Sequence, residues 1–329
     1  MRVLITGGAG FIGSHLAEEL LKNKHQVIAL DDLSTGRLEN IAHLKENKDF
    51  ELVVGTVFNE HLADKLVERA DVIFHLAAAV GVELIVKRPL ESLTTNIKGS
   101  EIVLEMAYRY NKKILMTSTS EIYGKNVNGP LKETDDRILG SPLKVRWSYS
   151  TAKAVDEMLA YVYWKEKGVP SVIVRLFNTV GPRQTGYYGM VVPRFIEQAL
   201  GSNPISVYGT GKQTRCFVHV KDAVGALIKL VEEPKAVGEV FNIGSQEEVS
   251  IEQLAKEIIK ITKSKSKIEY IPYEKAYEEG FEDMQRRVPD TAKINKLIGF
   301  KPTYDLSEII KDIVRHIKKN AKAPRRKTS

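Results

Sequence analysis

Tyr149-Ser150-Thr151-Ala152-Lys153 is the stretch of this sequence with the plainest chemical content. Residues four apart on a helix share a face, so the phenol and the ammonium point the same way. A tyrosine ordinarily loses its proton near pH 10 and is a poor base at neutral pH, but a neighbouring cation favours the phenolate. Lowering its pKa by about three units takes roughly 4 kcal/mol of differential stabilisation, which one close cation and a second positive group can supply in a dry site. The same spacing arises by chance on exposed helices, so its meaning depends on what else converges there.

The source of a second positive group lies at the amino terminus. Val3-Leu4-Ile5 reads as a buried strand, Gly7, Gly8, Gly10 and Gly13 follow, and Leu16, Ala17, Leu20 and Leu21 then recur at helical spacing. Strand, glycine turn and helix in that order are the context a dinucleotide fingerprint requires. The glycines permit a tight turn, close approach of backbone N–H groups to a pyrophosphate, and close packing of helix on strand. The next strand, Gln26 to Leu30, ends at Asp31, 18 residues after Gly13. A carboxylate there accepts hydrogen bonds from a free ribose 2′-hydroxyl and repels a 2′-phosphate, which points to NAD over NADP, although Arg37 stands nearby. The oxidised nicotinamide ring would be the second cation beside Tyr149, and Lys153 could also hold the nicotinamide ribose hydroxyls.

Those elements belong to a chain of 329 residues, enough for one large domain and a smaller one. Its single cysteine, Cys216, excludes an internal disulfide framework. The chain opens on a core strand and has no uncharged apolar stretch of membrane-spanning length. The expectation is a cytoplasmic protein without a signal peptide or membrane segment. The net charge of +7 is concentrated at the end: Lys318, Lys319, Lys322, Arg325, Arg326 and Lys327 fall in the last dozen residues with no acid among them. The rest is near neutral and lacks a basic stripe with interleaved aromatics, so a specific nucleic-acid partner is not expected. Residues 316–329 read as a disordered basic tail, solvated or binding anions non-specifically.

Further strands read at Glu51–Val54, Asp71–Leu76, Lys113–Thr117 and Ser171–Leu176. Helices read near Leu62–Val67, Pro89–Tyr110 and Ser150–Lys167. This alternation implies right-handed crossovers and a parallel sheet. The fold class is therefore α/β: a Rossmann-type doubly wound parallel sheet over residues 1–181, completed by about 218–245. A smaller mixed α/β substrate-binding region over 182–315 faces the carboxyl ends of the strands, where open sheets bind ligands.

Taken together, several motifs resemble the extended short-chain dehydrogenase/reductase family, and within it the nucleotide-sugar epimerases, dehydratases and decarboxylases. They are Thr6 to Gly13, His75-Leu76-Ala77-Ala78, Asn96-Ile97-Lys98-Gly99, Thr117 to Gly124, Tyr149 with Lys153, Arg175 to Arg183, and Arg287-Val288-Pro289-Asp290. The resemblance covers about residues 1–315. It implies a cofactor set of Gly7, Gly10, Phe11, Ile12, Gly13, Asp31, Asp32, Leu76, Ala77 and Ala78 with Tyr149 and Lys153. It implies that Thr119 hydrogen-bonds the sugar 4-hydroxyl while Tyr149 removes its proton and C4 gives a hydride to NAD, leaving a bound 4-ketosugar. Asn178, Arg215 and Arg287 match positions that contact the diphosphate. Tyr208 could meet the base and Asp290 a ribose hydroxyl, with Ser120 beside the sugar. Members usually pair as homodimers through two long helices, here those near 89–110 and 150–167.

Two departures qualify the resemblance. Gly55-Thr56-Val57 stands where an acid often touches adenine, so adenine must be held differently. Thr119-Ser120-Glu121 resembles decarboxylases and dehydratases, whereas Ala77 to Val82 looks like an epimerase loop. Glu121 is either a base at C5 or a buried carboxylate bonded to its surroundings. The favoured expectation is an NAD-dependent 4-epimerase of a UDP-hexose or UDP-hexuronate. The alternatives are a UDP-glucuronate decarboxylase or NDP-sugar 4,6-dehydratase, and less favoured, a non-catalytic dinucleotide-binding scaffold. No metal-ligand spacing is present; Cys216, His219 and His75 read as strand residues.

Overall fold

Alternate residues along each amino-terminal strand go to opposite faces, and here both faces are apolar. The computed structural model describes residues 1–79, 88–186, 190–273 and 284–322. In it β1 (Arg2–Thr6) sends Val3 and Ile5 into one core and Leu4 into another. The same division holds in β5 (Lys113–Thr119) and β6 (Ser171–Leu176). A strand buried on both sides has to be covered by helices on both sides, which is the doubly wound arrangement. With β2 (Gln26–Asp31), β3 (Phe50–Val54), β4 (Val72–His75) and β11 (Val240–Ile243), these strands make a seven-stranded parallel sheet in the order β11-β6-β5-β4-β1-β2-β3. The order reverses between β1 and β4.

One face carries α1 (Phe11–Lys22), α6 (Val220–Glu232) and α8 (Ala292–Ile298), whose Leu16, Leu20, Leu227 and Ile294 are buried. The other carries α2 (Glu60–Arg69), α3 (Pro89–Arg109) and α4 (Ser148–Lys167). Proline at the first position of α3 fits the place where a missing N–H costs nothing. Gly168 ends α4 in the left-handed conformation at φ +73°. A separate core joins α5 (Val191–Leu200), α7 (Ile251–Thr262) and α9 (Leu306–Lys322) through Phe195, Ile196, Leu254, Ile258, Ile309 and Ile313. Small sheets accompany it: β8 (Ile205–Tyr208) with β13 (Ile268–Ile271), and β9 (Thr214–Cys216) between β12 (Glu248–Ser250) and β14 (Arg286–Arg287). The pair β7 (Thr179–Val180) and β10 (Val218–His219) links this region to the main sheet.

Residues 316–322, expected to belong to a disordered tail, are helical. Helix α9 continues to Lys322 because Ile309, Ile310, Ile313, Val314 and Ile317 recur at helical spacing against the third core. Arg325, Arg326 and Lys327 lie outside the described residues, as do Val80-Gly81-Val82 of the epimerase-like loop and Gly189.

Candidate active site

The crevice opens where the strand order reverses. Gly7 adopts φ +75°, and a Cβ there would lie 2.9 Å from the backbone nitrogen of Ala77. A Cβ on Gly13 would run into the carbonyl oxygen of Gly7. Strand, turn and helix therefore close tightly only with glycine at both places. Gly10 is the N-cap of α1, and no side chain caps that helix, which directs the N–H groups around Phe11, Ile12 and Gly13 toward an anion. Leu76, Ala77 and Ala78 leave β4 on the opposite side, half-buried. Thr6 ties the two segments: its Oγ1 accepts from Ala77 N at 3.2 Å and meets His75 Nδ1 at 2.8 Å.

Asp31 is buried at the end of β2. Its Oδ2 accepts from Ala9 N at 2.9 Å and its Oδ1 from Leu33 N at 2.8 Å, so the carboxylate first shapes the glycine loop. Burial raises its pKa against those two hydrogen bonds. With Gly10 also bonding to it, the carboxylate still has acceptor capacity left for a ribose hydroxyl. Asp32 is exposed and turns its Oδ1 to Ser34, accepting from N at 2.9 Å and Oγ at 2.6 Å. The cradle at β1, the carboxylate at β2 and the segment after β4 fit a dinucleotide.

Thr119 ends β5, and its Oγ1 accepts from Glu121 N at 3.2 Å, starting a 3-10 turn over Ser120–Tyr123. Tyr149 stands in the first turn of α4, buried, and shares a hydrogen bond with Thr119. The lowered phenol pKa expected from the sequence is not what this arrangement gives. Burial raises it, the Glu121 and Asp156 carboxylates raise it further, and the Thr119 hydrogen bond opposes them more weakly. Lys153 does lie one turn along, but its Nζ donates to Asp156 Oδ2 at 2.9 Å, with the pair 2% and 0% exposed. Beneath them His75 also meets Ser100 Oγ at 3.3 Å; burial, and then the Lys153 charge, bring its pKa down to about 3, so it is neutral.

Glu121 is the centre of a charge cluster. Its Oε1 accepts from Arg287 Nη1 at 2.9 Å, and its Oε2 lies 2.6 Å from Arg146 Nη1. Burial alone would raise its pKa, but Arg146 and then Arg287 outweigh it and hold the carboxyl at about 2, with Arg215 adding to the effect. The same Arg287 Nη1 donates to Ser120 Oγ at 3.1 Å. Arg215 and Arg287 are register partners on β9 and β14. Like charges side by side on neighbouring strands repel, and the Glu121 carboxylate offsets that repulsion. The strand bearing Arg287 is fixed from the main sheet: Leu131 N donates to Val288 O and Asp290 N to Leu131 O, both at 2.8 Å. Asn242 in turn donates to Leu131 O at 2.9 Å and takes the Tyr123 hydroxyl at 2.7 Å.

The structure thus gathers Thr119, Ser120, Glu121, Tyr149, Lys153, Arg215 and Arg287 around one charge cluster. The other expected substrate contacts are engaged elsewhere. Asn178 Nδ2 donates to Cys216 O at 2.8 Å, and Asp290 Oδ1 accepts from Ala292 N at 2.8 Å at the start of α8. Tyr208 has the Arg194 guanidinium 4.1 Å from its ring centroid, so one face of the ring is covered. Sequence reasoning missed Arg146 and Asp156. Both stand at helical spacing from residues it chose, Arg146 three before Tyr149 and Asp156 three after Lys153.

A family model described as GDP-mannose 4,6 dehydratase matches residues 4–313. The UDP-N-acetyl-alpha-D-glucosaminuronate decarboxylase of Bacillus cytotoxicus is 42% identical over 95% of this chain and 96% of that protein. UDP-glucuronic acid decarboxylase 1 of Xenopus tropicalis is 36% identical over 97% of this chain and 72% of its own. Among solved structures, the UDP-glucuronic acid 4-epimerase from Bacillus cereus, in complex with UDP-glucuronic acid and NAD, superposes with a TM-score of 0.88. It is 30% identical, and the match covers 97% of this chain and 100% of that one.

Proposed function

The chain belongs to the GDP-mannose 4,6-dehydratase family, and we propose that within it the protein is an NAD-dependent decarboxylase of a UDP-linked hexuronate. The observation that carries this reading is the cluster of Arg146, Arg215 and Arg287 around the Glu121 carboxylate, beside the Tyr149 phenol. Guanidinium groups that already face one carboxylate make this end of the crevice suited to anions. A hexuronate brings a second anion, its C5 carboxylate, and a hexose does not. Guanidinium groups suit carboxylate and phosphate oxygens alike. The likeness to two decarboxylases acting on UDP-linked uronates supports the same choice.

The residues divide the work as follows. Gly7 to Gly13, Asp31 and the Leu76–Ala78 segment would hold NAD, and Tyr149 and Lys153 would stand at its reactive end. When bound, NAD supplies reversible hydride acceptance at the sugar's C4. Thr119 orients the 4-hydroxyl, and Tyr149 takes its proton and later returns it. Once C4 is a ketone, the C5 carboxylate belongs to a β-keto acid. Its C–C bond breaks, CO2 leaves, and the electron pair passes into the C4 carbonyl as an enolate. Arg287 orients that carboxylate. A proton from solvent then adds at C5. Glu121, ionised by its arginines, is a poor donor for that proton; its part is to hold Arg146 and Arg287 in place.

The 4-epimerase favoured from sequence uses the same Thr119, Tyr149 and Lys153, and its support is the likeness to the Bacillus cereus enzyme. We rank it second because the curated relatives at 42% and 36% identity are decarboxylases. A homodimer through α3 and α4 is part of the proposal: Leu90, Met158, Tyr161 and Val162 are exposed on those helices. Among the described residues no helix is long and apolar enough to cross a membrane.

The test is incubation with UDP-glucuronate, UDP-N-acetylglucosaminuronate and UDP-glucose, with CO2 trapped and products resolved by NMR. Decarboxylation predicts CO2 and a UDP-pentose product from a uronate and no turnover of UDP-glucose. Inversion at C4 without CO2 release overturns it in favour of the epimerase.

A further inference from the structure

Proton removal from a sugar hydroxyl calls for a phenol and, by the usual logic, a cation beside it. It does not call for a second carboxylate, yet Asp156 is fully buried and bound to that cation, Lys153, at 2.9 Å. Taking two ions out of water costs several kcal/mol for each before their attraction is counted, and an apolar residue would pack there without that cost. Asp156 Oδ1 is buried with no hydrogen-bond partner among the described residues, so the carboxylate is not there to complete a larger network. Among the described residues its one hydrogen-bonding partner is the lysine that should activate the base.

We propose that Asp156 is a positioning residue that neutralises Lys153, so that Tyr149 becomes a proton acceptor only while a positively charged, oxidised cofactor ring lies against it. This rests on Tyr149 being the proton acceptor. The groups facing the phenol support it. Thr119 comes from the end of β5, and Glu121 from the following turn with Arg146, Arg215 and Arg287 around it. Lys153 and Asp156 come from its own helix. His75 of β4, held between Thr6 and Ser100 of α3, is neutral. Glu157 of α4 is taken by Arg175 of β6 through bonds of 2.9 and 2.8 Å. Among the cations, Lys153 is matched by Asp156, and Arg146 and Arg287 are paired with Glu121.

The arrangement has a use. After the hydride has left C4 the cofactor ring is neutral, and Tyr149 must keep the sugar's proton until the hydride returns. A lysine free to face the phenol would favour loss of that proton while CO2 departs. With Lys153 neutralised, the phenol holds its proton through the reduced stage and surrenders it only to the returning oxyanion.

The experiment uses the holoenzyme with its cofactor oxidised or reduced. The Tyr149 phenolate is read as the near-ultraviolet difference between wild type and Y149F, which cancels the other tyrosines of the 13 in the chain. In the wild type, phenolate is expected at neutral pH with oxidised cofactor and absent with reduced cofactor. D156N is expected to show phenolate in both forms, and to move the acidic limb of kcat/KM down by about one pH unit or more; D156E restores both readings. A D156N titration that matches wild type in both forms overturns the proposal. If D156N does not fold, the wild type still decides: phenolate at about pH 8 with reduced cofactor overturns it. The underlying reading fails separately, if Y149F retains turnover.

Discussion

Replacing Glu121 by glutamine keeps the shape of the side chain and removes the charge that Arg146 and Arg287 share. A carboxyl held at about 2 against an ordinary 4.5 corresponds to about 3 kcal/mol in favour of the ionised form. Because the folded-state pKa is the lower one, that stabilisation is fully present above pH 4.5 and is lost as pH falls toward 2. E121Q is therefore expected to be about 3 kcal/mol less stable than wild type near neutrality, in line with the cost of breaking a buried ion pair by removing one partner. The difference should fall to about half by pH 3. Urea unfolding of both proteins across that range measures it, with turnover followed in parallel. If the whole effect reaches the transition state, CO2 release slows by about a hundredfold. A difference below about 1 kcal/mol at neutral pH, or one that stays constant on acidification, would refute the coupling of this carboxylate to its arginines.

Y149F should fold as wild type does and lose about 10²- to 10⁴-fold in turnover, the usual share of a general base; steady-state rates and circular dichroism check this. G13A places a methyl group against the Gly7 carbonyl, so the purified variant should have lost its dinucleotide, as read from cofactor content after gel filtration. Turnover of the uronate in heavy water should put one deuterium at C5 beside the original hydrogen, and a product with no deuterium there excludes a solvent-protonated enolate. M158E with V162E puts charge on the exposed face of α4 and should convert a dimer to a monomer in sedimentation velocity.

The dinucleotide half of the molecule was legible because its signals are local. A glycine that must take φ +75°, another whose Cβ has no room, and short apolar strands buried on both faces all declare themselves within about thirty residues of chain. The Tyr149 and Lys153 pairing was legible for the same reason: helical spacing alone puts them on one face. Periodicity does not say which partner a charge will choose. Lys153 has Tyr149 four residues before it and Asp156 three after it, and the buried ammonium takes the carboxylate, since a charge out of water binds the opposite charge in preference to a neutral phenol. Asn178 and Asp290 were found as family positions, but the first donates to Cys216 on a distant strand and the second accepts from Ala292 in a local turn, neither of which the family pattern states.

The cluster at Glu121 could not be read along the chain. Arg287 is 166 residues from Glu121 and reaches it because Leu131 and Asn242 pin its strand to the main sheet. Sequence by itself determined the α/β fold and the glycine turn, each set by backbone geometry over short spans, and singled out Tyr149 as the candidate phenol. Tertiary structure alone decided the charge at the reacting end. That charge is a sum over groups from five elements, and its sign depends on which of them folding brings within a few ångströms and away from water.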